Sequence, residues 1–243
     1  MKYLIITFFV LFNIYSHAGI LANKNRIIFD SNQDPQTLII ANTNEYPVVV
    51  QTWVDNGNGS PLSVVPVIVT PSTFRLDPKQ TQVLKLFNLN EQDIKSELVY
   101  WLNLYEIPPK DTNIADNHIP KVDLAMNTQH KIFIRTSHLG TFPSDIEKYL
   151  TFKVIQKDGQ SILQVKNSSI FHISFTEMCL SSKKNKDCIN SVKQEMDMML
   201  KPNDIRNYIL EKATLESAIT KITYLYIDDT GGIIKKSMMF HNS

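Results

Sequence analysis

Apolar and polar residues alternate with a period of two along most of this sequence, in short runs that turn residues interrupt. The runs are rich in Val, Ile, Tyr and Phe, which are the residue types that favour strands. Val48–Val54 leads into the turn residues 55–59, and Val99–Ile107 stops at Pro108 and Pro109. Short strands that recur about every 8 to 12 residues predict an all-β protein built from β-sandwiches.

The runs fall into two groups with a polar connection between them. The last long run of the first group covers residues 122–136, and the second group begins at Tyr149. A chain of 243 residues allows one large domain or two small ones. The sequence therefore predicts a first sandwich over residues 19–136, a linker over residues 137–147 and a second sandwich over residues 148–243.

Residues 1–18 have the marks of a secretory signal peptide. Lys2 is followed by an apolar run, and Ser16-His17-Ala18 places small residues where a signal peptidase reads. A membrane anchor is the alternative, but the run is too short to cross about 30 Å of hydrocarbon as a helix. We expect cleavage after Ala18, export, and no membrane insertion of the mature chain.

The charge balance argues against a nucleic-acid partner. Removal of residues 1–18 takes away Lys2 and leaves 24 basic and 24 acidic residues. Proteins that bind nucleic acid usually carry a basic surplus.

The two cysteines, Cys179 and Cys188, are close together in the sequence. In an exported protein this spacing suits a local disulfide across a hairpin or loop. A metal site is the alternative, but neither a second cysteine pair nor nearby histidines complete four ligands.

No catalytic motif is evident. None of the six histidines forms a metal-binding pair at helical spacing, and no G-x-S-x-G segment occurs. The sequence therefore predicts no catalytic residue, no metal and no cofactor.

Val122, Leu124 and Met126 share one face of a predicted strand. They either face the core of their own domain or are presented along a sheet edge to another protein, as in strand-addition binding. The pattern alone favours the core.

Several segments together resemble the periplasmic chaperones of chaperone–usher pilus assembly. The resemblance covers nearly all of the mature chain. The short connection from Pro109 to Val122 is similar to that of the family's short-loop subfamily. The segments that carry it are Asn25–Phe29, Tyr46–Val54, Pro66–Pro71, Phe74–Pro78, Glu97 with Tyr100–Pro109, Lys131–Arg135, Met199–Pro202 and Ile227–Gly232.

The resemblance implies two immunoglobulin-like β-sandwiches set at an angle, with a cleft between them, in a periplasmic protein that is not an enzyme. It implies that the chain caps pilin subunits by donating a strand that includes Val122, Leu124 and Met126, and delivers them to an outer-membrane usher. Arg26 and Lys131 then grip the carboxylate at the pilin's C-terminus.

The resemblance also assigns roles to further residues. Glu97, Arg135 and Asp229 match positions of a charged network between the domains, and Pro47 and Pro66 match positions of usher or self-capping contacts. His130 stands where the family has an aliphatic residue, which shortens the apolar stripe. An exported two-domain adhesin or other binding module is the alternative function, and it needs no pair like Arg26 and Lys131.

Overall fold

The computed structural model describes residues 19–29, 35–59, 66–89, 93–110, 124–182, 187–213 and 219–239. The expected signal peptide and Val122 lie outside these residues. The strands of the first half are β1 (Ile20–Ala22), β2 (Arg26–Phe29), β3 (Gln36–Asn42), β4 (Val48–Asp55), β5 (Val67–Thr70), β6 (Thr73–Leu76), β7 (Thr81–Asn88), β8 (Leu98–Ile107) and β9 (Met126–Ile134).

These strands form two sheets that enclose one core. One sheet has the order β1-β3-β7-β5, and the other has the order β2-β9-β8-β4-β6. Alternate residues point inward, so that Leu38 and Ile40 of β3 face Leu102 and Leu104 of β8 across a single buried cluster. The all-β sandwich prediction is confirmed for this half.

Strand β9 is paired differently along its two halves. It lies antiparallel to β8 over its whole length, from Met126 opposite Glu106 to Ile134 opposite Leu98. On its other side, β2 pairs in parallel with Lys131–Ile134 alone. In the part of the chain that the structure describes, residues 126–130 therefore have an open sheet edge.

The second half is also a sandwich with its own core. Its strands are β10 (Leu150–Lys157), β11 (Gln160–Asn167), β12 (Ile173–Ser181), β13 (Asn190–Ser191), β14 (Met199–Leu200), β15 (Ile205–Ile209), β16 (Lys221–Ile227) and β17 (Ile233–Met239). One sheet has the order β10-β11-β15, and the other has the order β13-β12-β16-β17 with β14 beside β12. Tyr208 and Tyr224 lie fully buried between the two sheets.

The connection between the sandwiches contains two short 3₁₀ helices, Ser137–Leu139 and Ile146–Tyr149. Leu139 packs into the first core, and Ile146 packs into the second. Residues 137–147 therefore contribute to both cores, although their polar composition suggests a linker.

Some strands differ from the sequence-based expectation. The residue pattern predicts a strand from Ser169 to Met178, but β12 begins at Ile173. Ser169 and Asn167 form a side-chain turn in which the Ser169 amide donates to Asn167 Oδ1. β9 begins at Met126, and Leu124 lies just before it without strand structure. The short strands β1 and β13 were not expected from the sequence.

Candidate functional site

A pair of cationic side chains stands on the face of the first domain that looks toward the second. Arg26 and Lys131 are direct neighbours in the parallel pairing of β2 with β9. Because strand side chains alternate, the next pair, Ile27 and Ile132, points the other way into the core. The sheet register therefore places two cations side by side.

Arg26 is held against the second domain. Its Nη1 donates to the carbonyl of Ile227, 3.1 Å away, and its guanidinium carbon lies 5.3 Å from the ring centre of Phe133. Its Nε is buried and has no hydrogen-bond partner among the described residues. Burial lowers the pKa of Arg26, although nearby acidic side chains, led by Asp229, oppose that shift.

Lys131 is also partly removed from water. Its Nζ lies 3.3 Å from Oδ1 of Asp197, and a quarter of its side chain is exposed. Burial lowers the pKa of Lys131, while Asp197 opposes the shift and Arg26 adds to it. Two cations in a partly dry site favour an anion that can accept hydrogen bonds from both.

Two exposed apolar side chains, Leu124 and Met126, precede Lys131 at the start of β9. Leu124 is 72% exposed and Met126 is 54% exposed, so neither belongs to the core. On the opposite face of β9, the side-chain amides of Asn127 and Gln129 both donate to Oδ1 of the buried Asn103. These bonds hold the first half of β9 to β8 and leave its other edge open.

His130 stands between the stripe and Lys131, and it is half-buried. Burial lowers the pKa of its ring, and the nearby backbone of Asn25 and Lys24 opposes this shift. The ring thus lies near the segment before β2, and its buried Nδ1 has no hydrogen-bond partner among the described residues.

A charged cluster of Glu97, Arg135 and Asp229 connects the two sandwiches. Arg135 Nε donates to Glu97 Oε1 at 2.7 Å, and its two terminal nitrogens donate to Asp229 at 2.6 and 2.8 Å. The hydrogen bonds and the nearby negative charges raise the pKa of Arg135 despite its burial. Glu97 is almost completely buried.

His172 completes this cluster, although the sequence did not predict it. Its backbone amide lies 2.7 Å from Glu97 Oε2, and its Nδ1 lies 2.9 Å from the same oxygen. No local motif marks His172, because its partner is 75 positions away in the sequence.

The remaining assigned residues lie apart from the cations. Pro47 immediately precedes β4, and Pro66 immediately precedes β5; both are half-buried. A disulfide joins Cys179 to Cys188 where β12 and β13 form a hairpin. Among the described residues there is no cluster of side chains that could hold a metal ion. None of the helices in the described ranges has the length and apolar character needed to span a membrane.

Two family models match successive parts of the chain. Residues 19–140 match the N-terminal domain of PapD, described as a pili and flagellar-assembly chaperone, and residues 145–238 match the C-terminal domain of the pili assembly chaperone PapD.

Individual proteins give the same result. The probable fimbrial chaperone YadV of Escherichia coli K12 is 27% identical over 231 residues, which cover 92% of this chain and 91% of that one. The chaperone protein MrkB of Klebsiella pneumoniae is 30% identical over 184 residues, which cover 73% of this chain and 77% of that one.

Solved structures share the fold. A crystal structure of the YadV chaperone superposes with a TM-score of 0.73 at 24% identity, over 91% of this chain and 99% of that one. The Salmonella enterica SafB chaperone, solved in complex with the SafA pilin, gives a TM-score of 0.72 at 19% identity, over 92% of this chain and 96% of the matched chain.

Proposed function

The chain belongs to the PapD family of pilus-assembly chaperones, which serve the chaperone–usher pathway and are not enzymes, and we propose that it caps a pilin subunit by strand donation. In this proposal the open edge of β9 pairs with the subunit. The subunit's terminal carboxylate binds Arg26 and Lys131, and the complex is delivered to an outer-membrane usher.

The open edge supports the strand-donation step. Residues 126–130 carry unpaired backbone donors and acceptors along one side in the described structure. An exposed apolar edge normally invites aggregation, so a stable protein keeps one where a partner covers it. Each apolar side chain that a groove buries fully is worth about 1.5–3 kcal/mol. Leu124 and Met126 supply such side chains, and Val122, outside the described residues, is proposed as the third.

The cation pair supports the anchoring step. Arg26 and Lys131 lie at the end of the open edge, where β2 begins to pair with β9. A chain end that pairs along β9 and stops at this point brings its terminal carboxylate to both cations. A carboxylate shared between two partly desolvated cations forms short, charge-assisted hydrogen bonds. The single observation that carries the proposal is that Lys131, with Arg26 beside it on β2, ends an open edge of β9 that begins at the exposed Leu124 and Met126.

The other assigned features have separate places in the proposal. Glu97, Arg135 and Asp229 hold the two domains at the angle that shapes the cleft. Pro47 and Pro66 are proposed as usher or self-capping contacts, away from the cations. We propose that this work takes place in the periplasm, which the expected signal peptide supports, and the disulfide between Cys179 and Cys188 suits an oxidising compartment.

Co-expression with fimbrial subunits, followed by purification of the chaperone, tests the proposal. Lys131→Ala and Arg26→Ala should each lower the amount of co-purified subunit by roughly tenfold or more, because truncating one partner of a buried charge pair costs about 2–5 kcal/mol. Lys85→Ala is the matched control, since Lys85 is an exposed strand lysine of the same domain. Equal subunit yields from Lys131→Ala and Lys85→Ala would refute the assigned carboxylate site.

A further inference from the structure

Lys131, which we propose binds the subunit's terminal carboxylate, already contacts a carboxylate of the chaperone itself. Asp197 lies in the segment between β13 and β14, in the second domain, and its Oδ1 lies 3.3 Å from Lys131 Nζ. The contact therefore crosses the cleft between the domains. It has the same chemistry as the contact that a terminal carboxylate would make.

The contact is weak in comparison with that of Asp229, another carboxylate that links the two domains. Half of the Asp197 side chain is exposed, and it makes one long contact with Lys131. Asp229, in contrast, accepts two short hydrogen bonds from Arg135, which is 5% exposed. Exposed ion pairs are worth little, so the contact between Lys131 and Asp197 can be exchanged while that between Arg135 and Asp229 persists.

Asp197 also keeps partners when Lys131 is removed. Its Oδ1 accepts a hydrogen bond from the backbone amide of Met199 at 3.0 Å, and its Oδ2 lies 3.8 Å from Arg206. Arg206 also donates to the carbonyls of Asp197 and Met199 and to the carboxylate of Glu195. The segment 195–199 is therefore fixed to the second domain independently of Lys131, and a released Asp197 has a local cation.

We propose that Asp197 is a resident carboxylate that occupies Lys131 in the free chaperone and is displaced by the terminal carboxylate of the pilin. This inference rests on the proposed function and adds a regulatory residue to that site. Asp197 keeps Lys131 neutralised while the cleft is vacant and lowers the affinity for the subunit. Release of the subunit is easier as a result, because Lys131 has a replacement partner within reach.

Peptide binding tests this inference. The peptide is the C-terminal strand of the co-purified subunit, synthesised once with a free C-terminal acid and once as the C-terminal amide. Asp197→Asn should bind the free-acid peptide about two- to fivefold more tightly than the wild type, which is the range expected for loss of a half-exposed ion pair. Binding of the amide peptide should not change, because the amide carries no carboxylate for Lys131. The asparagine keeps an oxygen for the Met199 amide, so the turn is preserved.

Glu195→Gln is the matched control, because it removes the same charge from the same segment at a residue whose carboxylate contacts Arg206 instead of Lys131. An equal gain from Glu195→Gln, or an equal gain for the amide peptide, would overturn the direct role of Asp197. Unchanged or weaker binding of the free acid by Asp197→Asn would overturn it as well. A different result, in which the wild type binds acid and amide equally, would refute the carboxylate site of the proposed function.

Discussion

Replacing Arg135 with methionine should destabilise the protein through the carboxylate that it leaves behind. The methionine keeps an unbranched apolar stem beside Phe171, whose ring centre lies 5.0 Å from the guanidinium carbon of Arg135. The substitution removes the charge and all three hydrogen bonds to Glu97 and Asp229.

The two acidic partners contribute unequally to the cost. Asp229 has a side chain that is 31% exposed, and water can replace the lost hydrogen bonds. The Glu97 side chain is 1% exposed and retains the contacts with His172, but it loses the charge of Arg135. Removing one partner of a buried pair costs about 3–5 kcal/mol, most of it from the remaining uncompensated charge.

Thermal melting followed by circular dichroism is the assay. A loss of this size corresponds to a fall in Tm of about 6–20 °C for a protein of this length. Arg75→Met is the matched control, because Arg75 and Asp77 form an ion pair of similar length, 2.8 Å, whose side chains are 67% and 45% exposed. The control should change stability by less than about 1 kcal/mol.

A second substitution separates charge burial from packing. Adding Glu97→Gln to Arg135→Met should recover part of the lost Tm, since the glutamine oxygen still accepts the His172 amide and carries no charge. The reasoning is refuted if Arg135→Met melts like Arg75→Met, or if the double variant melts below Arg135→Met alone.

Three further predictions concern the stripe, the disulfide and His130. Leu124→Glu should sharply lower the yield of co-purified subunit but leave the Tm within about 2 °C of the wild type, since Leu124 is exposed. Leu104→Glu, in the core, should instead unfold the domain. Normal subunit capture by Leu124→Glu would contradict the strand donation. Replacing both Cys179 and Cys188 with alanine should lower the free energy of unfolding in urea by about 2–3 kcal/mol, because the closed loop is short, and no change in the urea midpoint would contradict this. Burial lowers the pKa of His130 below its ordinary value of 6.5, so the unfolded chain protonates this ring first as the pH falls. The free energy of unfolding should therefore decrease as the pH drops below about 7. His130→Leu should reduce that decrease, and urea midpoints at neutral and mildly acidic pH measure it.

Alternation was sufficient to predict most of the sandwich strands, because one face of each strand packs on a core. Val48–Asp55, for example, differs by a single residue from the run expected from the sequence. Boundaries set by side-chain bonds were not predictable in this way. The turn at Asn167 and Ser169 delays β12, although the residues around it still look like a strand.

Some residues of the site were likewise predictable from the sequence, and others were not. The resemblance assigned Arg26 and Lys131, and the parallel register places them side by side. His172 and Asp197 were missed, because each has its partner on a distant segment of the chain. Spacing in the sequence carries no information about such pairs.

The change of pairing along β9 has a consequence for how long a partner can be. On the proposed binding mode, Lys131 fixes the position of the partner's terminal carboxylate, and Met126 lies about 17 Å from Lys131 along the extended strand. A partner that ends one residue early or late turns every side chain to the opposite face of its strand. On this proposed binding mode, the position of Lys131 selects partners by where their chain ends, because a wrong length misplaces every side chain.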